Sequence, residues 1–100
     1  MNRGQIVSII ITTKNEEDVI QRLIQSIKKQ TYKNLEIILV DNNSQDKTVE
    51  VAIKWGAQVH NLGPERSSQR NFGAKVAKGK YLLILDADME LTPEVVSECV

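Results

Sequence analysis

Stretches of apolar residues alternate along this chain with stretches whose apolar residues recur at helical spacing. Val7-Ser8-Ile9-Ile10-Ile11-Thr12 is β-branched and nearly continuous, the pattern of a strand covered on both faces. Leu35-Glu36-Ile37-Ile38-Leu39-Val40 and Lys80 to Leu85 repeat it, and Gln58 to Asn61 is a shorter third strand between them. After the first strand, Val19, Ile20, Leu23, Ile24 and Ile27 fall on one helical face with polar residues between them. Asn15 is placed to cap this helix, with Asp18 completing a loose capping box. A second helix is expected from about Asp46 to Trp55, stopped by Gly56, and a third from Ser67 to Ala77, ended by Gly79. Thr92-Pro93-Glu94 carries the cap, proline and acid that open a fourth. The order β-α-β-α-β-α-β-α predicts an α/β fold: a mostly parallel sheet with right-handed crossovers and helices on both faces. No internal repeat, linker or low-complexity segment interrupts it.

The last strand ends in Asp86-Ala87-Asp88. Strand residues alternate in facing, so Asp86 and Asp88 should lean one way with Ala87 turned back. Two neighbouring carboxylates repel each other and favour a cation, which points to a divalent metal that also holds a phosphate. The plainer alternative is a turn, or a cap for the next helix.

In a parallel α/β sheet, ligands sit at the carboxyl ends of the strands. That rule gathers Thr12-Thr13-Lys14-Asn15-Glu16, Asp41-Asn42-Asn43-Ser44 and Asp86-Ala87-Asp88 on one rim. The first two clusters suit a nucleotide's base and ribose, and the third a metal-bound diphosphate. The chain has neither Gly-x-Gly-x-x-Gly after the first strand nor a P-loop sequence, which excludes a standard dinucleotide or P-loop site. Phosphate charge must then be met by metal on the aspartates, helped by Arg66 or Arg70 near a helix start.

Composition narrows the partners. The 100 residues suit one small domain, 1–100, and 41% are hydrophobic. Thirteen basic residues balance thirteen acidic ones, so no basic excess marks a nucleic-acid surface. No run approaches a membrane span, and Met1 to Gln5 reads as a polar lead-in. The single cysteine, Cys99, has no internal partner, consistent with a reducing, cytoplasmic setting, including the cytoplasmic face of a membrane.

Taken together, Val7 through Glu16, Gln30 through Asp46, Arg70-Asn71 with Gly73, Gly79, and Tyr81 through Asp88 resemble the family 2 glycosyltransferases. The resemblance covers nearly the whole chain. It implies the Rossmann-like GT-A fold, a three-layer sandwich, and sugar transfer from a UDP- or GDP-linked nucleotide diphosphate sugar to an acceptor hydroxyl. The usual outcome in that family is inversion at the anomeric carbon, and acceptors include glycans, lipid phosphates and proteins. By position, Thr12, Lys14 and Glu16 sit where the first loop holds base and ribose, and Asp41 where an aspartate hydrogen-bonds the base. Arg70 sits in the segment that approaches diphosphate or sugar, Asp86 where an aspartate faces ribose or sugar, and Asp88 where one ligates Mg2+ or Mn2+. Many relatives have proline at Thr12 and an aromatic at Lys14, so stacking on the base is not expected here.

Family catalytic domains run to about twice this length, within the usual domain range. The chain is therefore expected to be the donor-binding half of a truncated fold, with the general base beyond Val100. Its last strand should leave an open edge that invites self-association. Two other classes compete: a nucleotide-binding module without turnover, and a nucleotidyltransferase. The latter usually carries a glycine-rich basic loop where this chain has Thr-Thr-Lys-Asn-Glu-Glu. At single residues, Asp41 also reads as an Asx-turn former and Arg66 as a solvated helix charge. His60, Trp55 and Cys99 read as packing residues.

Overall fold

A computed structural model describes residues 5–99; Met1–Gly4, Val100 and the Cys99 side chain lie outside the described residues, as do the readings placed on them. The elements are β1 (Val7–Thr13), α1 (Glu17–Lys28), β2 (Leu35–Asp41), α2 (Thr48–Lys54), β3 (Gln58–Asn61), α3 (Arg66–Val76), β4 (Tyr81–Asp86) and α4 (Val95–Cys99). The four strands form one sheet in the order β3-β2-β1-β4, with every pair parallel. Among the described residues, no helix is long and apolar enough to cross a membrane.

All seven residues of β1 are buried, which explains its near-continuous apolar run. Its side chains divide between two layers. Ile9 and Ile11 join Ile37 and Leu39 of β2 against Ile20, Leu23, Ile24 and Ile27 of α1, with Ala52 of α2 and Val96 of α4 in the same cluster. Ile10, Ile38 and Val40 face the other way, against Phe72, Ala74 and Val76 of α3. The result is the expected three-layer sandwich.

Helix starts depart from the local sequence rules. Asn15 does not cap α1. It adopts φ 53°, and its side chain accepts the Gln45 amide instead. The α1 start is capped from across the chain: Glu16 N–H donates to Thr48 Oγ1 and Glu17 N–H to Asp46 Oδ2. Asp46 also takes the Thr48 amide at the start of α2, so α2 begins two residues later than expected. One carboxylate thus caps two helices, as the positive ends of both favour. The α2 end follows its sequence signal. Gly56 takes φ 93°, its amide bonds the Ile53 carbonyl and Ala57 N–H bonds the Ala52 carbonyl, a Schellman closure.

α4 begins at Val95, not at Thr92. Thr92 O is shared between Gln30 Nε2 and the Val95 amide, and Pro93 O accepts from the Thr31 amide. The fully buried Gln30 also accepts the Val96 amide through Oε1. This side chain ties the end of α1 to the segment that follows the aspartate pair.

At the opposite end of the sheet, Ser8 Oγ donates to Glu36 and accepts the Gly79 amide, while Lys78 N–H donates to Glu36 Oε2. A Cβ on Gly79 would lie 2.6 Å from the Ile6 carbonyl oxygen, so only glycine fits this turn into β4.

α3 approaches β1 closely at Gly73, where an added Cβ would meet Ile10 Cγ2 at 2.5 Å. Gly73→Ala is expected to push the helix off the sheet at a cost of roughly 1–3 kcal/mol. Thermal unfolding followed by circular dichroism should show a Tm lower by about 4 °C or more. An unchanged melt would show that the helix has room to move.

Candidate functional site

The carboxyl ends of β1, β2 and β4 meet at one rim, and there the chain stops being apolar. Thr12, Lys14, Glu16, Val19, Arg66, Asp86, Ala87 and Asp88 line a cavity of about 320 Å³. Asp86 and Asp88 are exposed while Ala87 is 2% exposed and packed in the core, the alternation expected where a strand runs out. Thr12 pairs in register with Asp86 across the sheet, which brings its hydroxyl to the same rim.

Asp41 and Arg70 do not line this cavity. Asp41 is buried, and its oxygens are engaged. Oδ1 accepts from Thr13 Oγ1 at 2.7 Å and Ser44 Oγ at 2.5 Å, and Oδ2 accepts the Ser44 amide at 2.8 Å. It closes the turn after β2, the reading its position in Asp-Asn-Asn-Ser left open. Arg70 lies one helical turn beyond Arg66 and is exposed. Arg66, the first residue of α3, is the arginine at the cavity, with NH1 3.9 Å from Asp86 Oδ1. Both side chains are more than half exposed, so the pair is loose and open to exchange.

The first loop is held by side chains from the second. Asn15 N–H donates to Ser44 Oγ, Asn15 Oδ1 accepts from Gln45 N–H, and Lys14 Nζ donates to the Asn43 carbonyl at 3.2 Å. Asn43 takes φ 47°, a left-handed backbone that asparagine tolerates, and exchanges two hydrogen bonds with Asn61 of β3. Gln69, buried on α3, donates to the Thr13 and Val40 carbonyls where β1 and β2 diverge. Sequence reasoning missed Gln69. Its one signal is a glutamine on the apolar side of a helix, four residues before Gly73.

Like charge accumulates at the cavity. Burial pushes the Glu16 carboxyl above its ordinary value, with Asp88, Asp46 and Asp86 adding to the rise and Arg66 opposing it. Among the described residues, no three His, Cys, Asp or Glu side chains come close enough to hold a metal by themselves. Two exposed carboxylates with a hydroxyl nearby suit a hard cation that completes its shell with water and substrate phosphates, as Mg2+ does.

Residues 8–100 match the family model described as glycosyl transferase family 2. This chain belongs to that family. It is 38% identical over 89 residues to the UDP-Glc:alpha-D-GlcNAc-diphosphoundecaprenol beta-1,3-glucosyltransferase of Escherichia coli, covering 84% of this chain and 36% of that enzyme. To the 4,4'-diaponeurosporenoate glycosyltransferase of Staphylococcus haemolyticus it is 31% identical over 104 residues, covering 96% of this chain and 28% of the relative. Among solved structures, S. aureus TarS in complex with UDP superposes with a TM-score of 0.84 at 27% identity, over 93% of this chain and 30% of TarS. Glucosyl-3-phosphoglycerate synthase from Mycobacterium tuberculosis, in complex with Mn2+, UDP and glucosyl-3-phosphoglycerate, superposes with a TM-score of 0.77 at 26% identity, over 96% of this chain and 38% of the synthase. The fold is therefore that of the GT-A glycosyltransferases, and the chain spans about a third of the length of these family 2 relatives.

Two titrations test the electrostatics. Because the folded state raises the Glu16 pKa, ionising Glu16 costs stability as pH rises from its unfolded value of 4.5 through the folded one. In metal-free buffer, Glu16→Gln should melt higher than the parent at neutral pH, and the gap should close as pH falls toward 4.5. At Asp46, burial works to raise the pKa, but hydrogen bonds from the Thr48 hydroxyl and amide and the Glu17 amide outweigh it, and the value is lowered. That contribution is full above the unfolded value of 3.8 and is lost as pH falls through the folded one. Asp46→Ala should lower Tm by several degrees at neutral pH, with the difference fading in acid, since a helix cap is worth about 1 kcal/mol. Parallel melting curves across the acid range would refute either assignment.

Proposed function

We propose that this chain is the donor-binding part of a glycosyltransferase, with residues 1–100 as one unit that takes a nucleotide diphosphate sugar at the rim cavity. The observation that carries this reading is the meeting of Asp86, Asp88, Thr12, Glu16 and Arg66 around one opening in a family 2 fold. Relatives crystallised with UDP, UDP-GlcNAc, or GDP-Man and Mn2+ support a UDP- or GDP-linked donor and a divalent cation.

In this reading Asp86 and Asp88 present hard oxygen donors to Mg2+ or Mn2+, which would offset the charge that develops on the leaving diphosphate. Arg66, loosely paired with Asp86, is free to turn its guanidinium to the diphosphate as well. Thr12 and Glu16 offer a hydroxyl and a carboxylate to the ribose. Lys14, steadied on the Asn43 carbonyl, lies toward the base. Asp41 serves by fixing the turn after β2, and Arg70 stands by one turn behind Arg66.

Transfer with inversion needs a base to deprotonate the acceptor hydroxyl. Glu90 lies 4.0 Å from Arg22 with both side chains exposed, and Glu94, just before α4, and Glu98, within it, are exposed. None of the three lines the cavity. We therefore expect donor binding from these residues without sugar transfer, the acceptor pocket and base being supplied by further chain.

Calorimetry with UDP and GDP tests the reading. Heat is expected only with Mn2+ or Mg2+ present, and Asp88→Asn should abolish the metal-dependent part while Tm in metal-free buffer stays within a few degrees of the parent. Equal binding in EDTA, or an Asp88→Asn chain that binds metal as the parent does, would overturn the assignment.

A further inference from the structure

The buried residues of α3 are Gln69 and Gly73, one helical turn apart, and they seat the helix on the sheet. Gly73 lies against Ile10 of β1. Gln69 reaches the point where β1 and β2 diverge, and its Nε2 donates to the Val40 carbonyl at 2.8 Å and the Thr13 carbonyl at 3.3 Å. The Thr13 carbonyl already accepts the Asn42 amide at 3.0 Å. A paired carbonyl needs no second donor, and burying a glutamine costs more side-chain entropy than burying an alanine. Filling space therefore does not account for an amide at this place.

The chain also enters α3 from a loop tied to the end of β2. Leu62 N–H donates to the Asp41 carbonyl at 2.8 Å, and Asn42 Nδ2 donates to the Pro64 carbonyl at 3.4 Å. A Cβ on Gly63 would lie 2.1 Å from Asn42 Oδ1, so this loop lies directly on Asn42. Arg66 begins α3 between these two anchors, one before it on Asp41 and Asn42, the other after it on Val40 and Thr13. Its NH1 is 3.9 Å from Asp86 of β4. α3 packs on β1 and β2, whereas Asp86 stands on β4, so the separation of the two charges follows from how the helix is seated.

We propose that Gln69 is a positioning residue for the donor diphosphate: its two hydrogen bonds fix the seat of α3 so that Arg66 reaches the diphosphate held at Asp86 and Asp88. This role rests on the donor site proposed above. Gln69 does not line the cavity and acts through the helix. Among uncharged side chains, glutamine has both the two N–H donors and the length that the two carbonyls require. Asparagine is one methylene shorter, and an ionised glutamate offers no donor. An apolar residue would fill the space but leave the helix free to shift, and a misplacement of about 1 Å at a charged site can cost up to about 100-fold.

Gln69→Met keeps the volume and removes both bonds. Gln69→Ala removes them with the best helix former and serves where methionine packs poorly. Calorimetry with UDP and Mn2+ should find the affinity of either variant lower by about fivefold or more, with the circular dichroism spectrum unchanged. A double-mutant cycle with Arg66→Ala separates positioning from general loosening. In the Arg66→Ala background the same Gln69 substitution should lower affinity by less than about twofold, while its effect on Tm should be equal in both backgrounds. Equal losses of affinity in the two backgrounds would show that Gln69 only holds the fold together. Unchanged affinity would show that Arg66 finds its place without it. Either result overturns the assignment of Gln69 while leaving the donor site standing. A parent chain that binds no UDP with Mn2+ present would overturn the donor site itself, and the role of Gln69 with it.

Discussion

Everything at the rim depends on β1 being enclosed on all sides. It pairs with β2 on one edge and β4 on the other, and helices cover both of its faces. A strand in that position has no access to water, so its backbone and any polar side chain must be satisfied by neighbours, as Ser8 is by Glu36 and the Gly79 amide, and between Ser8 and Thr12 its side chains are apolar. Polar groups open to solvent begin where the enclosure ends. That point is Thr12-Thr13 on β1, Asp41 on β2 and Asp86 on β4, which the parallel register holds at one level. The site is thus a consequence of strand length: three parallel strands that run out together deliver three polar loops to one place.

Those loops are fixed by side chains more than by regular structure. Asp41 closes the turn after β2, Asp46 caps α1 and α2 at once, Asn15 and Ser44 lace the first loop to the second, and Gln69 bonds the last carbonyls of β1 and β2. Asp41, Asp46, Asn15 and Ser44 are short, so holding them costs little side-chain entropy, and the longer Gln69 offsets its larger cost with two hydrogen bonds. The cavity residues are left freer. Asp86, Asp88 and Arg66 are exposed, which suits groups whose partner is a ligand that comes and goes. The raised Glu16 pKa expresses the same division: burial and the neighbouring carboxylates of Asp88, Asp46 and Asp86 make its ionisation costly, and the fold accepts that cost at the rim.

The segment after β4 shows how far the fold goes to position the aspartate pair. Gln30, at the end of α1, bonds both the Thr92 carbonyl and the Val96 amide, and Ser26 Oγ accepts the Leu91 amide. The chain leaving Asp88 is thereby returned to the α1 layer, with Val96 in the core. The aspartates are held between β4 on one side and this anchored return on the other.

Several features were set by the sequence alone. The continuous apolar runs specified buried parallel strands, the helical periodicity specified α1 and its inward face, Gly56 ended α2, and alternation at Asp86-Ala87-Asp88 put both carboxylates outward. These depend on local periods and backbone preferences, which neighbouring residues carry. What tertiary structure decided were matters of long-range partnership. Asn15 has the composition of a cap, yet the α1 amides are met by Asp46 and Thr48, some thirty residues away. Asp41 has the position of a ligand residue, yet Thr13 and Ser44 engage it. Arg66 and Arg70 share one helix face and differ only in which turn reaches the rim. A short polar side chain or an exposed arginine bonds whatever the fold sets beside it, and that neighbour is chosen by the packing of whole elements, which no local window of sequence contains.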